Sequence, residues 1–255
     1  MRHYTIPIIA ILIAIAITAT MDFTGYTNFS ALPLFGILII FWLLEKHSKK
    51  EIGLKFGKAK YYGLAVLYPL FVLGLTALIA YLYGDISIRE IDERKDLLNL
   101  AADLVAGPLV ILLTEEGFFR GYLWASFKKA GITAKNTLFI TSMAFIIWHI
   151  SAVTSGSDYS LPISQIPIYL INGSLLGLIW GTLRWASGSI IVASVCHALW
   201  NGFTYLLFGY GEKIGLLGIT DTFIFGPEIG YLGIILNGCF FLWLWKITKS
   251  DRLNS

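Results

Sequence analysis

YYGLAVLYPLFVLGLTALIAYLY, residues 61–83, carries no charged residue from end to end. A helix needs about 20 consecutive apolar residues to cross a bilayer, with a lower limit near 17, and this stretch is long enough. Seven comparable stretches accompany it, at roughly 4–21, 30–44, 104–126, 137–153, 163–183, 187–208 and 229–245. The stretch 30–44 is short and needs its flanks to cross. The alternating pattern of a membrane β-barrel is absent. The expected fold is therefore all-α: a polytopic transmembrane bundle of about eight helices. It forms a single transmembrane domain over residues 1–255, with no linker or second domain.

Composition agrees. The 255 residues are 56% apolar or aromatic and only 14% charged, against about 25% charged in a soluble domain. The net charge of +3 comes with no basic patch interleaved with aromatics, which excludes a nucleic-acid partner. Cys196 and Cys239 both sit in apolar runs and read as small packing residues, not as a disulfide framework.

Cytoplasmic segments carry an excess of Lys and Arg. With eight alternating spans and the N-terminus inside, the inside segments hold Arg2; Lys46, Lys49, Lys50, Lys55, Lys58 and Lys60; Lys128, Lys129 and Lys135; Arg184; and Lys246, Lys249 and Arg252. The outside segments hold only Arg89, Arg94, Lys95 and Lys213. An odd span count destroys this asymmetry. Both termini are predicted cytoplasmic, in the plasma membrane if the chain is prokaryotic. The first span is read as a retained helix, although Arg2, the apolar run 6–19 and Thr18-Ala19-Thr20 also resemble a signal peptide.

Within this frame the stretch 85–103, acidic overall with apolar residues recurring at Ile88, Ile91, Leu97, Leu98 and Leu104, predicts an amphipathic interfacial helix leading into the fourth span, with Asp103 at the interface. Pro108 suits the first turn of the next helix or kinks a longer one. Gly173, Gly177 and Gly181, spaced by four, predict a smooth face for close helix packing. Arg184 reads as an anchor at a helix end. Trp124, Trp148, Trp180, Trp185, Trp200, Trp243 and Trp245 read mostly as lipid-facing or interfacial.

A charge at the bilayer centre costs at least about 2.5 kcal/mol on insertion scales, and such residues usually mark function. Glu115, Glu116 and Arg120 lie deep in the fourth span, His149 in the fifth, and His197 and Asn201 in the seventh. At 1.5 Å rise per residue, Glu115, His149, His197 and Asn201 all fall roughly 15–21 Å from the cytoplasmic edge. Glu116 and Arg120 are i,i+4 and pair on one face, which turns Glu115 elsewhere. His197 and Asn201 share a face by the same spacing.

This inventory suits acyl-bond hydrolysis. A carboxylate in a low-dielectric pocket gains proton affinity and can act as general base to a water. Imidazole and amide N–H groups can bind a developing oxyanion. Glu115, His149 and His197 also make up a two-His, one-Glu set of the kind that holds catalytic zinc, but HExxH is absent and the sequence does not demand a divalent metal. A serine mechanism lacks its Gly-x-Ser-x-Gly frame. Buried carboxylates and histidines build proton relays as well, so a proton- or solute-coupled transporter is the competing reading. It is opposed by the absence of inverted repeats and broken helices.

Thr114-Glu115-Glu116-Gly117-Phe118-Phe119-Arg120-Gly121 matches an EExxxR motif, Phe145-Ile-Ile-Trp-His149 matches FxxxH, and His197-Ala-Leu-Trp-Asn201 matches HxxxN. Together, in this order and in three spans, they resemble the type II CAAX prenyl protease and bacteriocin-processing intramembrane proteases (CPBP, or ABI-domain, family). The resemblance covers a core of about residues 100–205. It implies an eight-helix bundle with a cavity open toward the cytoplasm and the bilayer. It also implies that Glu115 and His149 activate water, that His197 and Asn201 form the oxyanion site, and that Glu116 and Arg120 support them. The family has been described both as metalloproteases and as metal-free glutamate proteases, and the glutamate form is favoured here. The implied partners are membrane lipid and a membrane-associated polypeptide, with the C-terminal tripeptide after a prenylated Cys as one candidate substrate. A non-catalytic scaffold or immunity protein of the same family is a further alternative.

Overall fold

The structure is a computed structural model describing residues 4–90, 93–211 and 213–253. Arg2 and Ile91 lie outside the described residues. The chain is helical almost throughout. α1 (Thr5–Phe23) leads through a 3-10 turn at Thr27–Phe29 into α2 (Pro33–Glu45), which ends with Lys46 in the left-handed region. The short α3 (Lys49–Ile52) has a capping box in which the Ser48 hydroxyl accepts from the Glu51 N–H while Glu51 accepts from the Ser48 N–H. Both orphan donors of that helix start are thereby satisfied. α4 (Lys60–Tyr83) follows, then α5 (Glu93–Val105), α6 (Gly107–Leu113), a π-helical segment (Glu116–Leu123) and α7 (Trp124–Lys129). α8 (Ala134–Thr154), α9 (Ile166–Ser187) and α10 (Ile190–Leu207) form the centre. A two-residue hairpin, β1 (Gly209–Tyr210) against β2 (Lys213–Ile214), precedes α11 (Thr222–Phe225), α12 (Tyr231–Ile247) and α13 (Lys249–Leu253).

Six helical segments among the described residues are long and apolar enough to cross a membrane: Thr5–Phe23, Thr27–Glu45, α4, α8, α9 and α10. The protein is a multi-pass membrane protein. The short second stretch reaches crossing length by recruiting the 3-10 turn. α12 is apolar but shorter, at 17 residues.

The fourth predicted span is the exception to a regular bundle. Residues 104–126 do not form one helix: the backbone breaks at Thr114 and continues with wider π turns. The Thr114 hydroxyl bonds back to the Val110 carbonyl at 2.7 Å, a contact that bends helices. Gly117 fixes the rest, since a Cβ there would stand 2.4 Å from the Leu112 carbonyl oxygen. A broken helix is thus present after all, and one of the two grounds set against transport falls away. The expected helix over 85–103 is also corrected. Residues 87 and 89 run extended and donate N–H groups to the Leu217 and Leu216 carbonyls, and the helix begins only at Glu93.

Packing in lipid relies on close approach and interhelical hydrogen bonds. The glycine face of α9 behaves as expected. Cβ atoms at Gly173 and Gly181 would stand 2.3 and 2.4 Å from Ile146 and Leu138 of α8. A buried polar chain ties α4, α9 and α12: Tyr68 donates to Asn237 (2.7 Å), Asn237 to Asn172 (3.1 Å), and Asn172 to the Gly230 carbonyl (3.2 Å). Leu12, Ile40, Leu70 and Leu242 face outward, as a lipid-facing surface requires.

The bundle has two distinct ends. At one, Lys58 and Lys60 pair with Asp251, Lys129 donates to the Glu45 carbonyl, and Arg184 donates to the Glu51 carbonyl. At the other, Thr220 donates to Asp85 and Lys213 pairs with Asp158. Arg184 is no surface anchor. It is buried, donating also to the Arg120 carbonyl at 3.1 Å, with its guanidinium over Trp124. The tryptophans need a correction too. Trp124, Trp148, Trp180 and Trp200 are buried inside the protein: Trp148 donates to Thr18 and Trp200 stacks on Tyr68. Only Cys196 is a buried thiol, while Cys239 is exposed.

Candidate active site

The π segment presents its two consecutive glutamates to different surroundings. Glu116 is fully buried. Its Oε1 accepts from Arg120 Nη1 at 3.1 Å and faces His197 Nδ1 at 3.1 Å. Arg120, also fully buried, donates a second bond to the Gly177 carbonyl at 3.3 Å. Its guanidinium lies 4.2 Å from the centre of the Phe145 ring, within cation–π range. Here the Gly177 position serves the site as well as the packing, because a Cβ there would press on Arg120 Nη2 at 3.3 Å. Glu115 points the other way, with Oε2 3.8 Å from His149 Nε2 and 3.9 Å from His197 Nε2.

The imidazole tautomers follow from their partners. His149 Nδ1 lies 2.9 Å from the Phe145 carbonyl oxygen. A carbonyl only accepts, so Nδ1 carries the proton and Nε2 faces Glu115 with a lone pair while the ring is neutral. His197 Nδ1 likewise donates to the Glu116 carboxylate. Trp180 stacks on the His197 ring at 3.7 Å and 15° and locks its plane.

Glu115, His149, His197 and Asn201 line one cavity of about 460 Å³. Among the described residues, the Asn201 side chain is committed to no other group. Four of the six residues singled out in the sequence thus meet at one chamber, and Glu116 and Arg120 lie directly behind it. Two further cavity residues escaped the sequence reading. Glu228, in the turn before α12, lines the same chamber and accepts from Trp200 Nε1 at 2.7 Å. Tyr169 of α9 also lines it. Glu228 lies outside every predicted span, so the cost of a charge in lipid did not flag it. Its one signal is Gly226-Pro-Glu228, a turn that buries its own backbone.

Glu115, His149 and His197 do not fit a ready-made metal centre. Zinc with bonds near 2.1 Å holds tetrahedral ligands about 3.4 Å apart, closer than the separations from Glu115 found here. Among the described residues, no group of three His, Cys, Asp or Glu side chains is placed to hold a metal ion.

Residues 97–203 match the family model described as type II CAAX prenyl endopeptidase Rce1-like. Over that segment the chain is similar to the CAAX protease family. The matched segment runs from α5 into α10 and contains Glu115, Glu116, Arg120, His149, His197 and Asn201, but not Glu228. No curated protein matches the chain. For a CAAX-protease domain, one feature is at odds with the expected access. All the loops around the chamber, including those at Asn28, Tyr159, Lys213 and Thr220, belong to the end opposite the start of α1 and the end of α13. The two expectations of cytoplasmic termini and a cytoplasm-facing cavity are therefore incompatible.

Proposed function

We propose that this protein is an intramembrane endopeptidase in which Glu115 and His149 activate the water that attacks the scissile carbonyl. The observation that carries the reading is the approach of Glu115 Oε2 to two imidazole Nε2 atoms at 3.8 and 3.9 Å. These distances exceed a direct hydrogen bond, yet one water can bridge each gap. With Nδ1 of His149 donating to the Phe145 carbonyl, its Nε2 accepts one water proton and Glu115 accepts the other.

In the attack, the water oxygen forms a bond to the carbonyl carbon while Glu115 takes a proton. The oxyanion is met by the Asn201 amide N–H and by His197. Nδ1–H of His197 is already committed to Glu116, so its Nε2 can donate to the oxyanion only when that nitrogen also carries a proton. Collapse breaks the C–N bond, and Glu115 returns the proton to the leaving amine. Arg120 holds Glu116 in place through its Nη1 bond to Oε1, and does not touch the substrate. The substrate class is a membrane-associated polypeptide, and a prenylated C-terminus is one member of that class.

The test is cleavage by purified protein of a farnesylated CAAX peptide and of its unprenylated counterpart, with Glu115→Ala beside wild type. Loss of a general base costs about 10²- to 10⁴-fold in rate. Equal turnover by wild type and Glu115→Ala rejects the assignment.

A further inference from the structure

We infer that the chamber opens on the extracytoplasmic side of the membrane, so that its substrates are polypeptide segments presented at the outer face. This rests on the endopeptidase reading above and adds the side from which the substrate arrives. Two independent observations meet here: where the chamber opens, and where the basic residues lie.

The chamber occupies one half of the bundle. It takes Thr18 from the last turns of α1, Val153 from the last turn of α8, Tyr169 from the first turn of α9, and Tyr205 from the last turn of α10. Its rim is built from the 27–31 turn, residues 159–161, the β-hairpin and residues 219–222. None of the loops at the terminal end contributes, neither 46–59 nor 130–133 nor 188–189. That end is closed beneath the site: Phe118, Phe119 and Tyr122 are buried to within 1%.

The closed end is also the basic end. Of the cations assigned above to inside segments, all that are described cluster there: on α3 and its flanks, on α7 and the start of α8, at Arg184, and on the last turn of α12 and α13. The open end carries fewer cations, Lys213 paired with Asp158, Arg89 bonded to the Ile214 carbonyl, and Arg94 and Lys95 at the start of α5, and acidic residues accompany them at Asp85, Asp158 and Asp221. Cationic ends stay in the cytoplasm during insertion because the Lys and Arg bias sets orientation. The rim then faces out. A cytoplasmic prenylated tail has no route to Glu115 in this arrangement, whereas an exported or outer-leaflet segment reaches it directly.

Orientation can be read without activity. In a full-length chain with Cys196 and Cys239 replaced by Ala, Thr220→Cys at the exposed rim and Lys49→Cys on the exposed basic end are treated in intact cells with a membrane-impermeant maleimide. Thr220→Cys is expected to label before permeabilisation and Lys49→Cys only after it. Labelling of Lys49→Cys in intact cells, alone or together with Thr220→Cys, overturns the orientation. Substrate side is tested with one reporter segment fused at either the outer or the inner end of a transmembrane anchor. Only the outer version is expected to be cut, and Glu115→Ala cuts neither. Glu115-dependent cutting of the inner version overturns this inference while leaving the endopeptidase reading standing. Cutting that survives Glu115→Ala removes the endopeptidase reading instead and leaves the labelling result untouched.

Discussion

Replacing Glu116 by Ala strands a cation inside the protein. Arg120 and Glu116 are both fully buried. After the substitution the guanidinium keeps one hydrogen bond, to the Gly177 carbonyl at 3.3 Å, plus the Phe145 ring face. Removing one partner of a buried ion pair costs about 3–5 kcal/mol, and in a bilayer no bulk water is at hand to rehydrate the survivor. At about 1.4 kcal/mol per tenfold, the folded-to-unfolded ratio falls by roughly two to three and a half decades. Glu116→Gln keeps an oxygen facing Arg120 Nη1 and His197 Nδ1 and loses only the charge, so its cost is smaller, about 1–3 kcal/mol. Glu116→Leu combined with Arg120→Met removes both charges at similar volume and should recover most of the loss, since buried pairs are often replaceable by apolar residues. The assay is unfolding of purified protein in mixed micelles with rising denaturing detergent. It is followed by tryptophan fluorescence, to which Trp180 against His197 contributes directly. The double variant is expected to be stable but inactive, because His197 has lost the acceptor that fixes its tautomer. Stability of Glu116→Ala within about 0.5 kcal/mol of wild type, or a double variant no more stable than Glu116→Ala, refutes the buried-pair argument.

Gly117→Ala places a methyl group 2.4 Å from the Leu112 carbonyl oxygen and 2.8 Å from Leu38 Cδ2. It should cost roughly 1–3 kcal/mol by overpacking and lower peptide turnover by shifting both glutamates, whereas Gly74→Ala, with open space around it, should leave turnover unchanged. His47 sits in the loop after α2, with Nε2 2.9 Å from the Ser126 hydroxyl. Burial holds its ring below the ordinary histidine range, against the opposing pull of Glu45. A depressed histidine contributes stability that is fully present above about pH 6.5 and is lost as pH falls toward its lower folded value. Unfolding curves between pH 7.5 and 5 should show that loss in wild type and a flatter profile in His47→Gln. Glu228→Gln keeps an acceptor for Trp200 and removes a charge from the chamber wall. It should raise KM about tenfold, as a lost charged hydrogen bond does, for peptides carrying Lys or Arg at the cleaved segment, with kcat little changed. An equal change for uncharged peptides removes Glu228 from substrate recognition.

What the sequence disclosed and what it hid divide along a physical line. Apolar length and i,i+4 spacing are local properties, and they placed the long helices α1, α4, α8, α9 and α10 and the Glu116–Arg120 pair. The cost of charge in lipid is local as well, and it flagged every member of the cluster that lies within a span. Hydropathy, however, gives the same score to a side chain facing lipid and one facing protein, because lipid tails are as apolar as leucine. That is why Trp180 and Trp200 read as peripheral although one stacks on His197 and the other reaches Glu228. The break at Thr114 was hidden for a related reason. The Thr114 hydroxyl can bond back in any helix, but only the approach of Leu38 and the Leu112 carbonyl to Gly117 makes the wider turn the better solution. That widening lets Glu115 face the chamber while its neighbour Glu116 stays sealed on Arg120. In a regular helix the two would still diverge by about 100°, but nothing in the spacing says which of them meets water. The sequence therefore carried the inventory of the site, and tertiary packing turned one carboxylate toward the chamber and sealed the other against Arg120.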